Sequence, residues 1–256
     1  MFRYAIVRRP GANFAEGLTT VDLGRPVYAK ALEQHLHYCQ TLQHCGLALT
    51  ELAADSRYPD STFVEDTAIL TEHGAILTRP GALSREGEVA SIQTTLAQFY
   101  PAFHVIAAPA TLDGGDICEA DDHFFIGISD RTNAAGAQQL AGFLSQAGYT
   151  STCVDIRDTT GMLHLKSGLA YLGNRRLVLI DALAKRPEFR GYEIVPVAPE
   201  ENYAANCVRV NDHVLIAEGF PKFKATLQHL KYRLLALDMS EFQKMDGGLS
   251  CLSLRF

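Results

Sequence analysis

The chain has 256 residues, of which 47% are hydrophobic and 20% are charged, and its formal net charge is −6. This balance predicts one globular domain over residues 1–256, and it excludes a basic surface that would neutralise the phosphates of a nucleic acid or an anionic membrane. We therefore expect a small-molecule ligand, with neither nucleic acid nor membrane as a partner.

The N-terminus and the cysteines indicate the cellular compartment. The first apolar stretch is too short for a signal peptide, and no run approaches the ~20 apolar residues of a membrane span. The six cysteines form no CxxC pair, so the pattern indicates neither a zinc site nor a disulfide framework. We expect a cytoplasmic protein in which most cysteines are buried thiols, and we interpret five of them as packing residues: Cys39, Cys45, Cys118, Cys153 and Cys207.

A pair of short apolar strands joined by a polar turn recurs along the chain. The pairs begin near Thr67, Asp116, Gly168 and Cys207, and Gly, Asn and Asp residues in the turns are typical of β-hairpins. In most units a helix and a third strand follow, although residues 181–192 carry little helical signal. Helical spacing covers 32–42, 89–99, 137–144 and 223–230, and the predicted third strands are 47–52, 104–107, 151–156, 194–197 and 234–237.

The recurring unit predicts how the chain closes. Strand-strand-helix-strand units that repeat about every 40–50 residues favour a radial architecture. A fifth hairpin is complete only if the apolar C-terminal residues 251–256, which include Cys251, pair with residues 2–7 near the N-terminus. The sequence therefore predicts an α/β fold, a closed five-bladed propeller with its helices outside.

Each predicted hairpin is preceded by residues that can carry chemistry. Equivalent positions in a ring point to the same place, so these side chains should meet at one mouth of the central axis. They are Glu65 and Asp66, Asp113 and Asp116, His164, Asn206, and Cys251.

Ordinary structural explanations compete with this interpretation. His164 alone is best explained as a core histidine, and Asp113 as a turn residue. Adjacent carboxylates at Glu65 and Asp66 are harder to dismiss, because in an apolar setting they are costly unless they bind a cation. Cys251 follows two glycines, which leave the backbone open to close approach by a ligand.

Five segments in order carry a resemblance to a known family. They are FVED at 63–66, LDGGD at 112–116, HLK at 164–166, YAANC at 203–207 and DGGLSC at 246–251. Together they resemble the guanidino-group-modifying enzymes of the pentein fold, and they are most similar to the dimethylarginine dimethylaminohydrolase family. The resemblance extends over essentially the whole chain and implies the five-bladed pentein propeller.

The resemblance also implies an activity. The expected reaction is hydrolysis of asymmetric dimethylarginine or monomethylarginine to L-citrulline and dimethylamine or methylamine, without metal or organic cofactor. It would proceed through a covalent thiouronium on Cys251, with His164 as proton donor and Asp113 beside the histidine. The implied substrate-binding positions are Leu18, on a loop that can act as a lid, Asp60, Phe63, Glu65, Asp66, Arg85, Arg131 and Met245.

Each binding position has an expected partner on the substrate. Glu65 and Asp66 would hold the guanidinium, Arg85 and Arg131 the substrate carboxylate, and two backbone carbonyls the ammonium. Lys166 departs from the His-x-Asp pattern of arginine deiminases, which favours the dimethylarginine branch. An arginine deiminase or an amidinotransferase remains an alternative, as does a non-catalytic binding propeller, and a homodimer is left open.

Overall fold

A computed structural model describes residues 1–256, and its strands form five sheets of three strands each. The chain begins with β1 (Tyr4–Arg8), α1 (Tyr28–His44) and β2 (Ala48–Leu52). The elements that follow are β3 (Ala68–Thr71), β4 (Gly74–Leu77), α2 (Val89–Leu96), β5 (Phe103–Val105), β6 (Ile117–Ala120), β7 (His123–Ile128), α3 (Ala134–Gln146), β8 (Thr150–Asp155), β9 (Leu169–Tyr171), β10 (Arg176–Leu179), α4 (Asp181–Ala184), β11 (Glu193–Pro196), β12 (Val208–Val210), β13 (His213–Ala217), α5 (Pro221–His229), β14 (Arg233–Leu237), α6 (Ser240–Gln243) and β15 (Leu254–Arg255).

Every sheet repeats one pairing scheme. Two strands pair antiparallel, as a hairpin in four of the sheets, and a helix then returns the chain so that the third strand runs parallel to the second. In the sheet of β3, β4 and β5, Ile69 pairs with Ile76 across the hairpin, and Ile76 pairs with His104 on the parallel side. The strand-strand-helix-strand unit predicted from the sequence is confirmed.

The two ends of the chain share the fifth sheet. Strand β1 lies between β15 and β2, with Ile6 opposite Leu254 in the antiparallel pair. The carbonyl of Phe256 accepts hydrogen bonds from the amides of Arg3 and Tyr4, both at 2.8 Å. The Phe256 ring also packs edge-on against Phe99, with 4.9 Å between ring centroids. The predicted pairing of the chain ends is present.

Apolar cores between neighbouring sheets fix the units relative to one another. The largest core joins three consecutive sheets and includes Phe125, Leu179 and Val214, all of which are fully or almost fully buried. Because each sheet packs against its neighbours, the loops that precede the hairpins are held in fixed relative positions. No helix is long and apolar enough to cross a membrane.

The last strand is shorter than predicted. Extended pairing was expected from residue 251 onward, but β15 covers only Leu254–Arg255. The amide of Cys251 donates to the carbonyl of Gly248 at 3.2 Å, so the cysteine lies in a turn that precedes the strand. Cys251 therefore belongs to a loop, like the reactive residues of the other units.

One cysteine differs from the expected packing role. All six cysteines are free, and Cys39, Cys45, Cys118 and Cys207 are buried as predicted, but Cys153 is exposed. Cys153 lies on β8, an edge strand of its sheet, where side chains alternate between faces and Val154 faces the core.

Candidate active site

Five turns lead into the first strands of the five antiparallel strand pairs, and we call them the axial turns. Four include a short 3-10 helix, and the fifth is the turn at 249–252. Each 3-10 segment is counted together with the residue on either side of it, so that His164 and Asn206 belong to the third and fourth turns. The segments are Val64–Thr67 before β3, Gly114–Asp116 before β6, Leu165–Ser167 before β9, Pro199–Ala205 before β12, and 249–252 before β15.

Three of the axial turns, those before β3, β9 and β15, and the loop near Leu18 line one small cavity. Nine of the eleven predicted site residues line it. Glu65 and Asp113 lie outside this lining. The predicted residues that line the cavity are Leu18, Asp60, Phe63, Asp66, Arg85, Arg131, His164, Met245 and Cys251.

His164 is held among buried carboxylates. Its Nε2 lies 3.1 Å from Oδ2 of Asp113, and Asp116 Oδ1 accepts the amide of Leu165 at 2.9 Å, which fixes the turn behind the imidazole. Burial alone would lower the pKa of His164, but Asp66, Asp116 and Asp113 outweigh it and raise the pKa to about 9. The imidazole is therefore protonated at neutral pH.

The Cys251 thiol is neutral in the free protein. Burial, followed by the negative charges of Glu65 and Asp66, raises its pKa to about 12, although Lys166 opposes the shift. Since the thiolate is the nucleophilic form, this site requires a further positive charge to ionise the sulfur at neutral pH. A cationic ligand bound beside Asp66 would supply that charge.

The Asp66 carboxylate in the cavity has a fixed direction, because both of its oxygens accept hydrogen bonds from the protein. Burial opposes its ionisation, but Arg85 and His164 outweigh that and lower its pKa to about 2. Its Oδ2 accepts from Arg85 at 2.6 Å, and its Oδ1 accepts the amide of Gly115 at 2.8 Å. A Cβ at Gly115 would lie only 2.8 Å from the His164 ring, so the sequence needs glycine there.

The two arginines predicted to bind the substrate carboxylate differ in how many of their N–H donors already have protein acceptors. Nε of Arg85 donates to Glu88, Nη1 to Asp66, and Nη2 to Glu88 and the carbonyl of Phe63. Of its five N–H groups, one Nη1 hydrogen is left without a protein acceptor. The guanidinium of Arg131 makes no hydrogen bond or ion pair within the chain, and Arg131 lines the cavity. The sequence did not separate these two roles.

Glu65 does not face the cavity, although a shared binding role with Asp66 was expected. Its Oε1 lies 2.6 Å from Nζ of Lys166 and 3.5 Å from Nη2 of Arg255, and its Oε2 accepts from the Ser250 hydroxyl at 2.8 Å. The buried carboxylate thus has cations from its own chain, which satisfies the requirement that motivated the expectation.

The loop over the cavity is tied to Asp60 and to the C-terminal segment. The amide of Leu18 donates to both carboxylate oxygens of Asp60, at 3.0 and 3.2 Å, and the Thr19 hydroxyl donates to the carbonyl of Lys244. Leu18 is nevertheless 42% exposed. A few polar contacts therefore hold the loop closed, with little apolar burial to oppose opening.

Asp66, Asp113 and His164 also form a group whose ligand atoms lie within 4.8 Å of one another, a spacing compatible with a metal ion. Asp66 already accepts from Arg85 and Gly115, and Asp113 accepts the amide of Gly81 at 2.8 Å. These hydrogen bonds explain the cluster without a metal.

The sequence interpretation missed Leu163 and Asp246 among the cavity-lining residues. The glycines before Cys251 have a second role that the sequence did not reveal. A Cβ at Gly247 would lie 2.3 Å from the ring of Phe63, and one at Gly248 would lie 2.4 Å from the Asn206 side chain. The glycine pair therefore makes room for protein side chains, and Gly247 also lines the cavity, where a ligand can approach the backbone.

A family model described as arginine deiminase matches residues 56–201 of the chain. Among curated proteins, the chain is 45% identical to the N(G),N(G)-dimethylarginine dimethylaminohydrolase of Pseudomonas aeruginosa, with 100% of both chains covered. It is 34% identical to the enzyme of the same name from Streptomyces coelicolor, over 98% of this chain and 96% of the relative.

Solved structures show the same similarity. A cysteine-to-serine variant of the Pseudomonas aeruginosa enzyme in complex with citrulline superposes with a TM-score of 0.97 at 45% identity and 100% coverage of both chains. The N-terminal domain of ArgZ, an arginine dihydrolase from cyanobacteria, reaches a TM-score of 0.87 at 17% identity, which supports the fold alone. The predicted five-bladed α/β propeller is confirmed by these matches.

Proposed function

The chain belongs to the dimethylarginine dimethylaminohydrolase family, and from this premise we propose that it hydrolyses Nω-methylated L-arginine to L-citrulline and dimethylamine or methylamine. The observation that carries the proposal is that Cys251, His164 and Asp66 face one cavity. A nucleophile, an acid and a carboxylate for a guanidinium are the groups that this reaction needs.

The cavity offers a partner for each end of such a substrate. Asp66 holds the guanidinium, and Arg131 binds the α-carboxylate with its free fork, while Arg85 contributes at most one hydrogen bond. The backbone carbonyls of Leu18 and Met245 accept from the ammonium. Because Leu18 lines the cavity on a loop that a few polar contacts hold in place, we expect this loop to open when the substrate enters.

The reaction follows from the two perturbed pKa values. The bound guanidinium favours the thiolate of Cys251, which attacks the central carbon and forms a tetrahedral adduct. His164, protonated at neutral pH, donates its proton to the departing amine and leaves a thiouronium on the sulfur. The neutral imidazole then takes a proton from water, whose attack releases citrulline and restores the thiolate.

Pairing of Glu65 with Lys166 supports a methylated substrate over arginine. A dimethylated nitrogen has no N–H to donate, so a second free carboxylate around the guanidinium would be left without a partner. The single carboxylate of Asp66 can accept from the N–H groups that a dimethylated guanidinium still has.

The test is to incubate the protein separately with arginine, monomethylarginine and asymmetric dimethylarginine and to measure citrulline. We expect citrulline from the methylated substrates and none from the Cys251→Ser variant. Citrulline from arginine alone would identify an arginine deiminase instead. Ornithine formed in the presence of an amine acceptor would identify an amidinotransferase.

A further inference from the structure

Four of the five axial turns are joined by a closed ring of buried polar contacts. Lys166 Nζ pairs with Glu65 Oε1 at 2.6 Å, and the Ser250 hydroxyl donates to Glu65 Oε2 at 2.8 Å. Asn206 closes the ring, because its Nδ2 donates to the carbonyl of Lys166 at 3.0 Å and its Oδ1 accepts the amide of Ser250 at 3.0 Å. We call these four residues the Glu65 ring.

Two members of the ring are near neighbours in sequence of the two reacting groups. Lys166 follows His164 by two residues in the same axial turn, and Ser250 precedes Cys251. The amide of Glu65 also donates to the carbonyl of Cys251 at 3.1 Å. The turns that carry the histidine and the cysteine are therefore connected to each other through the ring members.

The ring is satisfied as a unit, which makes each member hard to replace. Glu65, Asn206 and Ser250 are all buried, and a buried polar network with every partner present holds one geometry, whereas a broken one leaves groups unpaired. Asn206 even requires the glycine at 248, since a Cβ there would lie 2.4 Å from its amide.

Taking Cys251 and His164 in the roles proposed above, we infer that the Glu65 ring sets the spacing between the nucleophile and the acid, and that Asn206 and Lys166 are positioning residues. Neither side chain lines the cavity. They act through Ser250 and Glu65 on the turn of Cys251, and through the Lys166 backbone on the turn of His164.

The test compares Asn206→Ala with a matched control at the other end of the same strand. Asn211 also makes three side-chain hydrogen bonds, to the amide and carbonyl of Phe2 and the carbonyl of Cys45. It follows β12 and lies roughly 15 Å along the strand from Asn206. Because its φ is +53°, Asn211→Gly removes the three bonds without backbone strain.

We expect kcat of Asn206→Ala for asymmetric dimethylarginine to fall about 100-fold, the effect of a small misplacement of reacting groups, while KM stays within about threefold. Both variants should lower the thermal midpoint of unfolding by a similar amount, because each loses side-chain hydrogen bonds. Asn211→Gly should nevertheless leave kcat within about twofold of wild type. Equal kcat in the two variants, or a loss that appears entirely in KM, would overturn the inference.

Lys166 provides a second variant pair if Asn206→Ala does not fold. Lys166→Met leaves Glu65 without its nearest cation, whereas Lys166→Arg keeps a charge that can reach the carboxylate. We expect kcat to fall strongly in Lys166→Met and to recover substantially in Lys166→Arg. Equal activity in the two Lys166 variants would show that the ion pair has no positioning role.

A measurement without substrate separates this inference from the proposed function. The rate at which iodoacetamide labels Cys251, followed by peptide mass spectrometry, should rise severalfold in Asn206→Ala, because the turn opens more often, and should not change in Asn211→Gly. If wild type forms no citrulline from any methylated arginine, the proposed function is wrong and the labelling rates alone decide on the ring. Unchanged labelling in Asn206→Ala would reject the ring's positioning role.

Discussion

The Asp113 carboxylate lies 3.1 Å from Nε2 of His164, although 51 positions separate the two residues in the sequence. Asp113 is fully buried, and its other oxygen accepts the amide of Gly81 at 2.8 Å, so the carboxylate has a fixed direction. Together with Asp66 and Asp116, it raises the pKa of His164 to about 9 in spite of burial. The acid is therefore available throughout the neutral range.

The first prediction concerns the pH dependence of kcat/KM, which reports the pKa values of the free enzyme. Because His164 must be protonated when the amine leaves, kcat/KM of the wild type should fall as the pH rises through about 9. Asp113→Asn removes one of the charges that favour the protonated form, so the fall should begin at a lower pH. Asp212→Asn, in the exposed turn between β12 and β13, serves as the control, and a profile of Asp113→Asn that matches it would contradict the assignment.

The second prediction concerns the nucleophile. Cys251→Ser should abolish turnover and keep the fold, because a serine hydroxyl has a far higher pKa and no base arranged to ionise it. Cys153→Ser is the matched control, since Cys153 is also a free thiol but lies exposed on β8. Acid-quenched wild type should carry its substrate adduct on the peptide with Cys251; an adduct on Cys118 or Cys207 would be incompatible with the mechanism.

The third prediction concerns recognition of the substrate carboxylate. Arg131→Ala should raise KM for asymmetric dimethylarginine roughly 10- to 100-fold, the loss expected for charge-assisted hydrogen bonds. Arg131→Lys should recover only part, because an ammonium lacks the planar fork. Dimethylagmatine has no carboxylate, so its KM should change little, and equal losses for both substrates would mean that Arg131 acts through the fold.

The fourth prediction concerns stability in acid. His35 is buried on α1, and burial, followed by the charge of Arg9, lowers its pKa to about 4. Its unfolded value is the ordinary one near 6.5, so the unfolded chain binds the extra proton first and stability falls as the pH drops from about 6.5 towards 4. Between pH 7 and pH 5 this linkage removes about 2 kcal/mol of unfolding free energy.

His35→Gln should remove that part of the acid sensitivity, whereas His37→Gln, exposed on the same helix, should not. Urea unfolding at the two pH values measures both variants. The same loss of stability between pH 7 and pH 5 in His35→Gln and in wild type would show that another group is responsible.

The sequence predicted the repeating unit because that unit is local. The alternation of apolar strands, turns with Gly, Asn and Asp, and helical stripes is visible within each stretch of about 40–50 residues. The end of the chain was harder to predict, since the turn that holds Cys251 depends on Gly248 accommodating Asn206, a contact across 42 positions. An apolar run alone cannot report such a contact.

The sequence predicted residues of the candidate site, but it did not predict the ion-pair and hydrogen-bond partners of each side chain. Of the seven residues that equivalent positions predicted to meet, Asp66, His164 and Cys251 line one cavity. Whether a buried carboxylate faces that cavity or an internal cation depends on side-chain directions in the folded chain, and Glu65 turned towards Lys166 and Arg255. Likewise, only the structure shows that Glu88, Asp66 and the carbonyl of Phe63 together occupy four of the five N–H donors of Arg85.

The pairing of β1 with β15 has a consequence for the order in which the protein folds. A direct encounter of these strands in the unfolded chain closes a loop of nearly the whole sequence, which costs about 3 kcal/mol more conformational entropy than a loop of ten residues. We therefore expect the other four sheets to form first and to bring the two ends together. The amides of Ile6 and Leu254 should then gain hydrogen-exchange protection last during refolding, and the turn that carries Cys251 becomes ordered only in that final step.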